Sequence, residues 1–431
     1  MTKTIRFRRA SEPGTSVTLT AVGDIMMQGE TQQTAHRAMD LSISDPYGRV
    51  ASGFQRLFVA VRDDLNQGDL LFGNLETPIA ANIGPRRQQH EDGRVLCEEV
   101  EVPPGILHDG QAYQETKYPR LIGPLGWPNF NAHPALAEAL KAVGFDIVAL
   151  ANNHVMDRGH NGIDRTIAAL RRADLDFVGV RRSDQVGERD GFAGSCPYVI
   201  KETKGVRIAF FSFTQFLNAE LAGHPDAVGQ VCKFPLWRQE AAKAAVVRLV
   251  GQAKADPEVD VVVVSVHWGI DYLGRVLRSQ RRLAHLVLEA GADLILGHHS
   301  HVLQPMEKVR TTDGRETLVI YSLGNFLTDM RGVRSRSTVI LTVGVTKNET
   351  GTFLSGVQFL PVARHLSRDE RTGHELVRPV AIDRYPSGTF TRHRDRIVRV
   401  LGRGNLKDPD ASVSSPVARR WGTFERTGDS T

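Results

Sequence analysis

Short apolar runs rich in β-branched residues recur along the chain, at 17–22, 70–72, 146–151, 177–180, 206–213, 259–266, 294–296, 318–322 and 338–345. Between them, apolar positions return every three to four residues over 54–65, 134–143, 163–173, 238–253 and 281–290. The alternation predicts repeated βα units. Gly144 and Gly291 directly follow two of the helical stretches, where a left-handed capping residue belongs, and Pro134 suits a first helical turn. Central runs such as VVVVSV are apolar nearly throughout, so both faces of their sheet should be covered. This predicts a layered α/β sandwich, and the strand-dominated stretch from Thr338 predicts a β-rich closing segment.

Composition adds boundaries to this picture. A chain of 431 residues, 41% hydrophobic and 24% charged, can bury one large core. We expect a basic N-terminal extension over 1–16, one domain over 17–385 with an insertion at 80–131, and a basic tail over 386–431. The net charge of +5 is concentrated in that tail, where nine basic residues outnumber five acidic ones. Its few aromatics and lack of a sustained period predict a poorly ordered, dispensable segment, with polyanion binding as the alternative role. Nucleic acid is not an expected partner, because the rest of the chain is near neutral. Cys97, Cys196 and Cys232 are odd in number and without CxxC spacing, which predicts reduced thiols. No secretory signal pattern and no run of ~18 apolar residues is present, so no membrane span and a cytoplasmic location are expected.

Chemistry is suggested by the residues at the strand ends. Asp24, Glu76, Asn152–Asn153–His154, His267, His298–His299–Ser300–His301 and Asn325 each stand directly after the C-terminal end of a predicted strand. Ligands of open α/β sheets bind beyond those ends, so groups spread over three hundred residues can converge there. Taken singly, each is an ordinary turn or capping residue; together they form a set of carboxylate, amide and imidazole groups. That set suits one or two divalent ions such as Mn²⁺, Zn²⁺, Fe²⁺ or Mg²⁺, and the absence of thiolates argues against a soft site. In extended backbone His299 and His301 share one side and His298 points away.

The blocks GDIMMQGE, GNLETPI, FDIVALANNHVMDRG, VHWGIDY, GADLILGHHSHVLQP and IYSLGNF, in this order, resemble the CapA (poly-γ-glutamate synthesis) family of the calcineurin-like metallophosphoesterase superfamily. The resemblance covers roughly residues 17–329 and implies that superfamily's αββα sandwich. It also implies that Asp24, Glu76 and His301 hold a first ion, with Glu76 as the bridge, and that Asn153, His267 and His299 hold a second. His154 would protonate the leaving atom, with Asp157 orienting it, and Asp24 and His301 would join the catalytic set. Phosphatases of the superfamily begin D-x-H, whereas Met26 stands here in place of the histidine, so the first site lacks one imidazole.

Other candidate residues are Trp268, Arg158, His160 and Asn325, which could meet substrate. The resemblance implies a metal-dependent hydrolase or transferase acting on a γ-glutamyl or peptidic substrate or on a phosphoester, in capsule biosynthesis. Two further readings are an Asp/His acid–base enzyme such as a ribosomal-peptide Cα epimerase, and a non-catalytic partner in a polymer-synthesis complex.

Overall fold

The computed structural model describes residues 4–80, 83–89, 95–101, 130–186, 196–218, 229–233 and 240–407, apart from positions 372, 374 and 387. Its strands in chain order are β1 (Thr15–Ile25), β2 (Leu70–Leu75), β3 (Ile83–Gln89), β4 (Val95–Glu101), β5 (Ile147–Ala149), β6 (Asp176–Val178), β7 (Val199–Thr203) and β8 (Val206–Thr214). They continue as β9 (Val261–His267), β10 (Leu294–His298), β11 (Met306–Arg310), β12 (Glu316–Ile320), β13 (Asn325–Leu327), β14 (Ser337–Asn348), β15 (Gly351–Arg368) and β16 (Glu375–Ala381). The helices are α1 (Gly29–Arg37), α2 (Pro46–Arg56), α3 (Arg62–Leu65), α4 (Leu136–Val143), α5 (Gly159–Arg172), α6 (Glu240–Ala255), α7 (Arg278–Ala290) and α8 (Thr391–Leu401).

Two sheets carry the domain. One runs β16-β15-β14-β1-β2-β5-β6, with β13 alongside β1; the other runs β11-β12-β10-β9-β8-β7. In the first, β1, β2, β5 and β6 run parallel and β14, β15 and β16 antiparallel; the second is parallel at its centre with antiparallel edges. Side-chain alternation along the strands decides which faces meet. Leu19 of β1 and Phe72 of β2 point inward against Ile208, Phe210, Val263 and Leu296, and the rings of Phe72 and Phe210 stack with centroids 6.0 Å apart. The opposite parity, Val22, Leu71 and Val148, meets Phe54, Leu140 and Ile167 of α2, α4 and α5. On the far side Val262 and Val264 meet Val250 of α6 and Leu283 of α7. Four layers result, helix-sheet-sheet-helix. Each fully buried Leu, Val or Phe contributes about 1.5–3 kcal/mol, so the run VVVVSV is stable only because helices cover one face and a second sheet the other.

Several expectations require correction. The helix expected over 54–65 is α2 and α3, because Asp45 caps the N-terminus of α2, its side chain accepting from the Tyr47 and Gly48 amides with Pro46 in the first turn. The basic segment from 386 is not tail throughout. Its α8 buries His393, Ile397 and Leu401, four residues apart and hence on one face, and the Asn405 amide bonds the carbonyls of Ile5 and Val357. Residues 391–407 and the N-terminal Phe7 therefore belong to the domain. The insertion at 80–131 falls largely outside the described residues; within it 83–89 and 95–101 pair as the antiparallel strands β3 and β4. Cys196 and Cys232 are joined in a disulfide, against the expectation of free thiols. No helix among the described residues is long and apolar enough to cross a membrane.

Candidate metal centre

Strand ends build the centre. Asp24 closes β1, where the β1–β2 register shifts, and it is fully buried. Gly23 before it cannot carry a side chain, since a Cβ there would sit 1.8 Å from the Gly324 carbonyl oxygen. Asn74 donates its Nδ2 to Asp24 Oδ1 at 2.8 Å, and His298 Nδ1 lies 3.2 Å from the same oxygen. Asp24 Oδ2 faces His301 Nδ1 at 3.5 Å. Burial opposes the Asp24 charge, but the bonds to His298 and His301 outweigh it and hold the carboxyl well below its usual pKa.

Glu76, directly after β2, is the centre of the cluster. Its Oε1 lies 3.4 Å from His267 Nε2 and 3.9 Å from His301 Nε2, and neither carboxylate oxygen has a hydrogen-bond partner. Burial first, then the charges of Asp24 and Asp271, push its pKa well up. Two ligand groups can be drawn through this residue: Glu76 with His267 and His299, and Glu76 with Asp24 and His301. Asn153 adds its Oδ1, 2.9 Å from His267 Nε2. The rings of His267 and His299 stand 4.8 Å apart. Burial and the neighbouring imidazoles lower the His267 pKa well below its ordinary value and take His299 down to about 3, so both offer a neutral nitrogen. Burial opposes charge on His301 as well, but the bond to Asp24 raises its pKa above the ordinary value.

The structure thus brings Asp24, Glu76, Asn153, His267, His299 and His301 together. An orphaned, buried carboxylate beside the neutral imidazoles of His267 and His299 fits a divalent cation: without one the ionised glutamate would be costly to bury, and a cation satisfies both oxygens. Beside the cluster, His154 places Nδ1 2.7 Å from Asp157 Oδ2, and the Phe130 ring packs 4.2 Å from its own. Asn325 holds His301 through a 2.9 Å contact of Oδ1 with Nδ1 and is itself tied to the Ser335 carbonyl.

Four placements differ from the sequence reading. His298 does not point away: it contacts Asp24, because the backbone after it is not extended, with φ of 88° at His299 and 56° at His301. Trp268 is wholly buried, bonds the Tyr321 carbonyl through Nε1 and stacks on Tyr321, so it is core and not a cleft wall. His160 turns to Gln230. Arg158 is buried and bonds the Asp157 carbonyl through Nη1 at 3.1 Å, bracing the His154 loop from behind.

Three residues that the sequence reading passed over belong here, Asn74, Asp271 and Asn218, and His298, which it turned away, joins them. Asn74 shares strand parity with Glu76, a signal that was available. His298 was hidden by the backbone reversal after it. Asp271, whose Oδ1 lies 3.2 Å from His299 Nε2, forms a third ligand group with His299 and His301. Asn218 accepts at Oδ1 from Asn153 Nδ2 and has Nδ2 3.5 Å from His154 Nδ1, and no motif around it marks it.

A model of the family described as bacterial capsule synthesis protein PGA_cap matches residues 18–97 and 112–330. The capsule biosynthesis protein CapA of Bacillus anthracis is 28% identical over 337 residues, 78% of this chain and 65% of that protein. The PGA biosynthesis protein CapA of Bacillus subtilis is 32% identical over 216 residues, 50% of this chain and 51% of that one. The chain therefore spans about half to two thirds of the length of these relatives. Among solved structures, the sulfate thiohydrolase SoxB of Thermus thermophilus aligns over 89% of this chain and 59% of its own, with 14% identity and a TM-score of 0.40.

Proposed function

The chain belongs to the bacterial capsule synthesis protein family PGA_cap, and from that premise we propose that it is a metal-dependent enzyme of capsule or poly-γ-glutamate assembly. Its reaction on this reading is hydrolysis or transfer at a γ-glutamyl or peptidic bond, with a phosphoester as the other substrate class. The observation that carries the proposal is Glu76, whose two oxygens are buried and unpartnered between His267 and His301. Glu76 would be shared, with Asp24 and His301 on one side and Asn153, His267 and His299 on the other. A divalent ion held there supplies Lewis acidity and lowers the pKa of water.

The chain's own groups do the rest. Asp157 accepts a hydrogen bond from His154 Nδ1–H, which leaves Nε2, when the ring carries its second proton, as the atom that can hand that proton to a leaving group. Phe130 covers the His154 ring and keeps bulk water from it. Asp24 is ill suited to abstract a proton from carbon, because Asn74 and His298 hold its Oδ1 and the bonds to His298 and His301 depress its basicity against the effect of burial. This favours a ligand role over the Cα-epimerase reading.

The test is metal content of purified protein beside that of Glu76→Gln, paired with a screen of glutamyl peptides and phosphoesters. Bound divalent metal in wild type, lost with activity in the variant, is the expected result. Wild-type protein that turns over substrate while binding no metal would refute the proposal.

A further inference from the structure

The loop that closes the centre leads to a second charged feature. Asp271 stands beside His299 and His301, and the ring of Tyr272 packs 5.9 Å from that of His301. Arg334 donates its Nη2 to the Tyr272 carbonyl at 2.7 Å. Two residues further on, a Cβ at Gly274 would lie 2.8 Å from Arg396 Nη2 and 3.1 Å from Arg334 Nη2. Both guanidinium groups therefore converge over the bare backbone of one glycine. Arg399 lies three residues along α8 from Arg396, on the same side of the helix. Arg334 also directly precedes Ser335, whose carbonyl holds the Asn325 that holds His301.

Among the described residues, Arg334, Arg396 and Arg399 make no ion pair with a carboxylate, and Arg396 Nε has no hydrogen-bond partner. Burial lowers the Arg396 pKa, and the charges of Arg334 and Arg399 lower it further. Like charges held together without a counterion destabilise the fold, and an anion would relieve that repulsion while filling the open guanidinium forks. Between the cluster and the centre, Ile270 and Tyr272 are 54% and 52% exposed, an apolar step suited to the methylene groups that separate successive carboxylates.

We propose that Arg334, Arg396 and Arg399 form a carboxylate-binding subsite on the rim of the centre, which grips an anionic chain of repeated carboxylates while one of its bonds lies at Glu76. The substrate class rests on the γ-glutamyl reading of the metal centre; the subsite itself does not need the metal.

A fluorescently labelled ten-residue poly-γ-glutamate is titrated against full-length protein by anisotropy at two salt concentrations. Arg396→Gln, which breaks no ion pair among the described residues, should weaken binding about tenfold, the size of one charge-assisted hydrogen bond. The Arg396→Gln/Arg399→Gln double variant, which keeps the bond from Arg334 to the Tyr272 carbonyl, should bind more weakly still and flatten the salt dependence, with metal content as in wild type and a melting temperature no lower. Arg396→Gln should weaken binding by the same factor in the Glu76→Gln background, which separates the subsite from the metal chemistry. Wild-type affinity in the double variant would overturn the proposal. So would single-stranded DNA of matched length that binds as tightly and suffers the same loss, since the cluster would then be a general cation patch.

Discussion

Oδ2 of Asp157 accepts both His154 Nδ1 at 2.7 Å and the Phe130 backbone N–H at 2.6 Å, so one carboxylate fixes the imidazole proposed as the acid and the residue that covers it. Asp157→Asn should lower kcat about 10–100-fold with KM little changed, the usual effect of removing a residue that orients a working histidine. Metal content should stay at the wild-type level. Steady-state kinetics with metal analysis decide this: unchanged kcat in a protein of lowered melting temperature would reduce Asp157 to a structural tie.

Met26 is buried at the position where D-x-H phosphatases carry a histidine, and its backbone N–H is committed to Leu327. With a thioether there, the group of Asp24, Glu76 and His301 is one imidazole short, whereas Glu76, Asn153, His267 and His299 make a full set. The second group should bind metal more tightly, and Met26→His should raise stoichiometry or affinity at the first. Two tightly held ions in wild type, unchanged in the variant under equal loading, would contradict this.

The Cys196–Cys232 bond closes a loop of 36 residues and so restricts the unfolded chain by about 4 kcal/mol on the chain-entropy estimate. It also fixes a strip of the site, because Cys232 bonds Gly179 through its N–H and Thr214 through its carbonyl, and Thr214 pairs with His267. The urea midpoint should fall on adding reductant, and the double variant Cys196→Ser/Cys232→Ser should behave alike with or without reductant. A midpoint indifferent to reductant would count against the bond.

Burial first, then the charges of Arg336 and Arg392, lowers the His393 pKa to about 4. Its Nδ1 meets Ser337 Oγ at 2.9 Å, where α8 packs on β14. The folded pKa lies below the ordinary 6.5, so as pH falls the unfolded chain binds the proton first. Stability from this residue is complete above pH 6.5 and is lost between 6.5 and about 4. Melting temperatures across that window should fall less steeply for His393→Gln than for wild type; parallel curves would show that other groups set the acid limit.

Strand order was legible where apolar runs were long and β-branched, as at 206–213 and 259–266, because burial on both faces leaves a continuous signature. It was poorly legible at α8, where the apolar face is only His393, Ile397 and Leu401 and arginines hide it. The site residues were legible because strand ends concentrate them. What escaped was whatever depends on local backbone geometry: the left-handed turns at His299 and His301 bring His298 onto Asp24, and the turn through Gly269 and Tyr272 carries Asp271 to the histidines. Parity along an extended strand cannot foresee a turn that reverses it.

At Gly23 the β1 backbone lies so close to the Gly324 turn that not even a methyl group fits between them. Asp24 and Asn325, three hundred residues apart, are therefore set by one backbone-to-backbone contact and not by adjustable side chains. For anyone reshaping this protein by directed evolution, that junction is a fixed hinge pin: libraries aimed at new substrates belong on the outer loop of Ile270, Tyr272 and Arg334, while variation at Gly23 would dismantle the two walls of the site together.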